Sequence, residues 1–239
     1  MSGILKKAVK LIKESLFPDN FTCALCGIEI FGGMMCPDCT KTVEFNNGNT
    51  CPICGRKTAK NEICIECKAV LPKFKSAASA LNYRNGTVHL IAKFKNGDAY
   101  LAGYFAGLLA QKLNTFPHID GIACVPMTKK AQARRGYNQS KLIAKRLSEI
   151  TGVPLIENAL IKTKETPEQK GLPRSERVKN LSDCFKADKK AVKGKMILVV
   201  DDVLTTGATL DAVSEKLKKA GAYEVFAATV ASVEYSPIG

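Results

Sequence analysis

The sequence predicts an α/β fold, a mainly parallel sheet with helices on both faces, preceded by a small cysteine-rich metal module. Three observations carry that reading. The run Met196-Ile197-Leu198-Val199-Val200 is apolar without alternation, as in a strand buried on both faces of a parallel sheet. Two acids, Asp201 and Asp202, close it, and after Val203 and Leu204 comes the small-residue turn Thr205-Thr206-Gly207-Ala208-Thr209. From there a helical pattern (Leu210, Val213, Leu217) runs to Gly221. Finally, eight of the ten cysteines form four C-x-x-C pairs between residues 23 and 67.

Each element can be justified in chain order. Residues 1–20 hold an amphipathic helix over 3–16, with Ile4, Leu5, Val9, Ile12 and Leu16 on one broad face and lysines opposite. Such a helix either touches a membrane surface peripherally or packs on its own domain, and its shortness favours packing.

Residues 21–70 form a double zinc-ribbon module. Cys23, Cys26, Cys36 and Cys39 make one repeat, and Cys51, Cys54, Cys64 and Cys67 the next. Two pairs complete a tetrahedral zinc site with no position left for a reacting water, so the role is structural, with about two Zn2+ expected. Metal binding supplies the folding free energy that so short a segment lacks. One zinc per repeat is the expected pairing, with an interleaved scheme as the alternative. Redox use of the pairs fits four in register poorly.

Lys68 to Lys75 shows no periodicity and marks the boundary to an α/β domain over 76–239. Residues 77–83 read as a strand, and 87–113 as helices broken near Asn96-Gly97. Residues 119–126 make the next strand, in which Cys124 is a small core residue; Cys184 reads the same way. That strand opens into a basic, glycine-containing loop with Lys129, Lys130, Arg134, Arg135 and Gly136, suited to an anion. A helix follows, with Leu142, Ile143, Leu147 and Ile150 on its core side. Residues 162–180, poor in apolar side chains, read as a long mobile loop, and 224–232 as a last, central strand.

Strand, acid pair and turn together suggest a ligand at a sheet's carboxyl edge. Backbone N–H groups of the turn, at the positive end of a helix, can hold a phosphate. The neighbouring acids would repel it unless they face sugar hydroxyls or Mg2+. A nucleoside-triphosphatase strand is excluded because no G-x-x-x-x-G-K-[ST] occurs, and a dinucleotide fold because no G-x-G-x-x-G does. The plainest alternative is a buried strand with a polar end and a capped helix.

Residues Val199 through Thr209 resemble the ribose-phosphate signature of the type I phosphoribosyltransferases. Arg135-Gly136-Tyr137-Asn138-Gln139 and, further on, Thr166, Pro167, Gln169, Leu172, Arg177 and Asn180 are similar to two blocks of the ComF family, competence-associated phosphoribosyltransferase-like proteins. The cysteine pairs ahead of the domain match the same order of parts. The resemblance implies binding of 5-phosphoribosyl-1-pyrophosphate (PRPP) with Mg2+. Asp201 and Asp202 would hold the ribose at the reacting centre, Thr205 to Thr209 would cradle the 5′-phosphate, and Val203 and Leu204 would join them in binding PRPP. Lys129, Lys130, Arg134, Arg135 and Gly136 would hold the pyrophosphate. It also implies a part in natural transformation, with single-stranded DNA and competence proteins such as a helicase as partners. PRPP would then be either a substrate, transferred to a nitrogen nucleophile, or a regulator.

Charge agrees with polyanionic ligands. The formal net charge is +14, and two Zn2+ on eight thiolates would bring it to about +10. The excess lies in residues 76–239, with basic side chains concentrated over 129–146 and 162–179. No run of 18 apolar residues occurs and lysines interrupt the apolar start, so the expected location is cytoplasmic.

Overall fold

The computed structural model describes residues 22–165, 181 and 183–234. The helix expected over 3–16 and most of the segment 162–180 lie outside them. Among these residues the strands are β1 (Ala77–Asn82), β2 (Gly121–Cys124), β3 (Leu160–Lys162), β4 (Phe185–Ala187), β5 (Met196–Leu204) and β6 (Glu224–Ser232). The helices are α1 (Pro37–Thr42), α2 (Ile65–Ala69), α3 (Asn85–Lys95), α4 (Leu101–Lys112), α5 (Lys129–Arg135), α6 (Gln139–Thr151), α7 (Lys189–Val192) and α8 (Ala208–Lys219).

β1, β6, β5 and β2 lie side by side in that order, every pair parallel. β3 and β4 form a separate antiparallel pair. The non-alternating run in β5 is explained by burial on both sides. Leu198 and Val200 pack with Leu90, Phe94, Phe105, Ile143 and Leu147 of α3, α4 and α6. Ile197 and Val199 pack with Leu210, Val213 and Leu217 of α8. Helices therefore cover both faces, as the sequence predicts.

Two local readings change. β5 does not stop at Val200: Asp201, Val203 and Leu204 stay in register with Thr229, Ala231 and Ser232 of the nine-residue β6. The acid pair therefore sits within the ladder's last turns rather than beyond it. The basic stretch after β2 is helical rather than a loop. Thr128 caps α5 by accepting the Ala131 N–H at 3.1 Å, and Gly136, at φ 84°, ends it.

Both outer edges of the sheet are occupied. On β1, the Asn46 N–H donates to the Ala80 carbonyl (2.9 Å) and the Asn82 N–H to the Glu44 carbonyl (2.8 Å). On β2, the Ile122 N–H donates to the Pro154 carbonyl (2.9 Å) and the Ile156 N–H to the Ile122 carbonyl (2.8 Å). The second cysteine repeat also lies on β1, where the Ala77 N–H donates to the Ile53 carbonyl at 2.7 Å. Gly55 allows this approach. Its φ is 67°, and a Cβ there would stand 2.5 Å from the Ala77 carbonyl oxygen.

Candidate functional site

The acid pair is built from three elements. Asp201 accepts the Ser140 hydroxyl of α6 at 2.7 Å and the backbone N–H of Asp202 at 2.9 Å. Asp202 Oδ2 meets Lys95 Nζ, from the last residue of α3, at 3.0 Å, while its Oδ1 accepts the Val203 N–H at 2.7 Å. Burial, then the charge of Asp202, pushes the Asp201 carboxyl up to about 7 against the lowering effect of those hydrogen bonds and of Lys95. One carboxylate is thus paired with a cation and its neighbour stands close to the point of losing its proton. Sequence reasoning found both acids but missed Ser140 and Lys95. Ser140 directly follows the Asn138-Gln139 block, so a signal was adjacent. Nothing in the sequence around Lys95 marks it.

The turn after β5 opens α8, whose twelve residues end in Lys216, Lys218 and Lys219. Gly207 takes φ 83° and its carbonyl accepts the Asp211 N–H at 2.8 Å, starting the helix. Thr205 is exposed, Val203, Thr206 and Thr209 are half-buried, and Leu204, Gly207 and Ala208 are buried. The turn's hydroxyls thus lie nearer solvent than its apolar root. Amides at a helix start beside two carboxylates can hold a phosphate ester whose sugar faces the acids. From the cysteine-rich segment, Arg56 donates to the Thr205 carbonyl. That residue went unnoticed in the sequence.

The expected anion-binding cations are placed on α5, which follows the carboxyl end of β2, the strand next to β5. Lys129, Lys130, Arg134, Arg135 and Gly136 are all exposed. None of the four cations forms an ion pair among the described residues, and none touches Asp201 or Asp202. Arg135 reaches Gln139 Oε1 at 3.5 Å. The Thr128 hydroxyl donates to the Glu165 carboxylate, which ties the start of α5 to the segment after β3. Behind them, the Tyr137 hydroxyl donates to the Phe94 carbonyl, and Asn138 Nδ2 to the Val125 carbonyl at 3.1 Å. These bonds anchor the start of α6, and with it Ser140.

The cysteines gather as two groups, one per repeat: Cys23, Cys26, Cys36 and Cys39, then Cys51, Cys54, Cys64 and Cys67. Within each group all four sulfur atoms lie within 4.8 Å of one another. Cys26 and Cys36 Sγ are 3.9 Å apart, Cys54 and Cys64 Sγ 3.5 Å. A tetrahedral zinc with Zn–S of about 2.3 Å needs sulfur–sulfur edges of about 3.8 Å, so both groups fit it and the sequential pairing holds. Hydrogen bonds among the four thiols of the second group push Cys51 well below its usual value and Cys67 well above it, as expected of sulfur atoms packed closely enough to share protons. Cys124 is buried and its thiol is pushed up to about 11 by that burial, which makes it an inert core residue. Among the described residues, no helix is long and apolar enough to cross a membrane.

Two protein families match separate stretches of the chain. The phosphoribosyl transferase domain family matches residues 104–236, and the double zinc ribbon domain family residues 12–68. Competence protein F of Haemophilus influenzae is 28% identical, covering 86% of this chain and 94% of that one. Competence protein ComFC of Bacillus subtilis is 26% identical, covering 87% and 88%. DNA utilization protein YhgH of Escherichia coli K12 is 27% identical, covering 85% and 93%. Among solved structures, the glutamine PRPP amidotransferase of B. subtilis complexed with ADP and GMP is 21% identical. It covers 61% of this chain and 28% of that one, with a TM-score of 0.41.

Proposed function

Because the chain belongs to the phosphoribosyl transferase domain family, we propose that it binds PRPP with Mg2+ at the end of β5. The observation that carries this is one continuous piece of chain, from the half-buried acid pair Asp201-Asp202 to the turn 205–209 that opens α8. The carboxylates face the ribose hydroxyls, and the amides and hydroxyls of the turn take the 5′-phosphate. Lys129, Lys130, Arg134 and Arg135, unpaired among the described residues, receive the pyrophosphate.

In a transfer reaction the bond from the anomeric carbon to pyrophosphate breaks, a bond to a nitrogen nucleophile forms, and the nucleophile gives up a proton. Positive charge grows at the anomeric carbon. Asp202, joined by Asp201 once that carboxyl has given up its proton, stabilises it by placing negative charge beside it, in a site fixed in advance by Ser140 and Lys95. Mg2+ bound with PRPP would offset the charge of the leaving pyrophosphate.

Relatives named competence and DNA utilization proteins extend the reading to the handling of incoming DNA. A second reading follows from the same names and from the exposed cations of α5, which form no ion pair among the described residues. In it the protein handles single-stranded DNA beside a competence protein such as a helicase, and PRPP is a regulator that is not consumed.

Calorimetry with PRPP and Mg2+ tests the site. Wild type should bind, and Asp201→Asn with Asp202→Asn should weaken binding about tenfold or more with the fold intact, since charge is lost but little volume. Failure of wild type to bind would defeat the assignment. Pyrophosphate release in the presence of a panel of bases and amines marks an enzyme; binding without release marks the regulator.

A further inference from the structure

Arg56 follows Cys54 and Gly55 in the second cysteine repeat, and its side chain runs inward until the residue is only 3% exposed. Its guanidinium spans the ends of two strands, donating to the Thr205 carbonyl after β5 and, through Nη1, to the Val233 carbonyl after β6 at 3.4 Å. The Val233 N–H donates in turn to the Leu204 carbonyl at 3.0 Å. A trans peptide points its C=O and N–H in opposite directions. Holding the Thr205 carbonyl toward Arg56 therefore turns the Thr206 N–H away from it, to the other side of the turn.

What holds Arg56 is the metal knuckle. The Cys51 N–H donates to the Arg56 carbonyl at 2.8 Å, and the Gly55 N–H to the Cys51 carbonyl at 2.9 Å. Cys51, Cys54 and Cys67 pack in one cluster with Leu204, Ala208 and Leu210, at the root of the turn. A second tie lies beyond the repeat, where the Lys73 N–H donates to Asp211 Oδ1 of α8 at 3.0 Å. The first repeat lies elsewhere: Cys26 and Cys39 share a hollow with His89 and Lys93 of α3.

We propose that Arg56 is a positioning residue for the turn 205–209, and that through it the second four-cysteine site, not the first, supports ligand binding there. The affinity part rests on the reading that this turn binds the phosphate of PRPP; the geometric part does not.

The test uses the full chain with Arg56→Met, Arg56→Lys, Cys51→Ser and Cys23→Ser, reading zinc content, amide hydrogen exchange over 204–210 and PRPP affinity. Arg56→Met should keep both zinc ions, speed exchange in the turn about tenfold and weaken PRPP about tenfold, the scale of one lost charge-assisted hydrogen bond. Arg56→Lys, which keeps a cation, should recover part of both. Cys51→Ser should lose one zinc and reproduce the loosened turn, whereas Cys23→Ser should lose one zinc and leave the turn within about twofold of wild type. Unchanged exchange in Arg56→Met, or equal loosening by the two cysteine variants, overturns the proposal. If Arg56→Met does not fold, the cysteine pair decides. If wild type ignores PRPP, the functional reading fails and the exchange data still judge Arg56.

Discussion

Asp201 is a half-buried carboxyl set directly beside a second acid. Its carboxyl rises from 3.8 to about 7, because burial and the charge of Asp202 outweigh the Ser140 hydroxyl and Lys95. Between those two values the folded chain keeps a proton that the unfolded chain has released. Stability from this group therefore falls as pH rises across that window, and the full cost is present above about 7. Asp201→Asn removes the cost, so the variant should melt higher than wild type at pH 8, keep only about half of that advantage at pH 5.5, and lose it below the unfolded value of 3.8. A gain of one kcal/mol would appear as roughly 2–4 °C. Melting curves with the same offset at both pH values would show that the acid is not strained in this way. The two acids were legible in the sequence as a pair; their unequal states were not. Those depend on Lys95 and Ser140, 107 and 61 positions away along the chain.

Among the elements, β5 shows how far a local pattern reaches. Its apolar run announced a doubly buried strand, but the run ends at Val200 while the ladder continues to Leu204. The extension is imposed by β6 alongside, which no window of β5 contains. For α5 the signals were present, Thr128 as a cap and Gly136 as a stop, yet the density of cations and the glycine suggested a loop. The ribbon–sheet junction gives an element-scale prediction. Gly55→Ala would put a methyl group 2.5 Å from the Ala77 carbonyl oxygen at a φ of 67°. The left-handed backbone alone costs about 1–2 kcal/mol, and the contact adds to it. Chemical denaturation should show a markedly lower midpoint. Gly27, at the corresponding place in the first repeat, has φ 76° but open space around it, so Gly27→Ala should cost less.

On the scale of the whole molecule, the charge excess of residues 76–239 predicts binding of single-stranded DNA through its phosphates, with little sequence preference. Each contact should add about −0.7 to the slope of log K against log salt. Lys162 is a poor probe because its ammonium sits 5.6 Å from the centre of the Phe185 ring. Lys164→Glu with Lys186→Glu changes two exposed positions instead and should flatten the slope while leaving zinc bound. Fluorescence anisotropy showing no binding at about 50 mM salt, or binding indifferent to salt, would leave PRPP as the protein's polyanionic ligand. The net charge was plain in the sequence. Which cations stand free of partners was not, because that depends on carboxylates brought near by folding.

The strip of chain from Glu44 to Asn46 does more than join the two cysteine repeats. By hydrogen-bonding along the outer side of β1, it occupies donors and acceptors that would otherwise recruit a strand from another molecule, and residues 154–156 do the same for β2. The ribbon is thereby a guard against polymerisation. Stripping its metal, or deleting residues 1–70, should bare the β1 flank and yield a species that self-associates with rising concentration in light scattering, whereas in the intact chain both edges of the four-stranded sheet are taken.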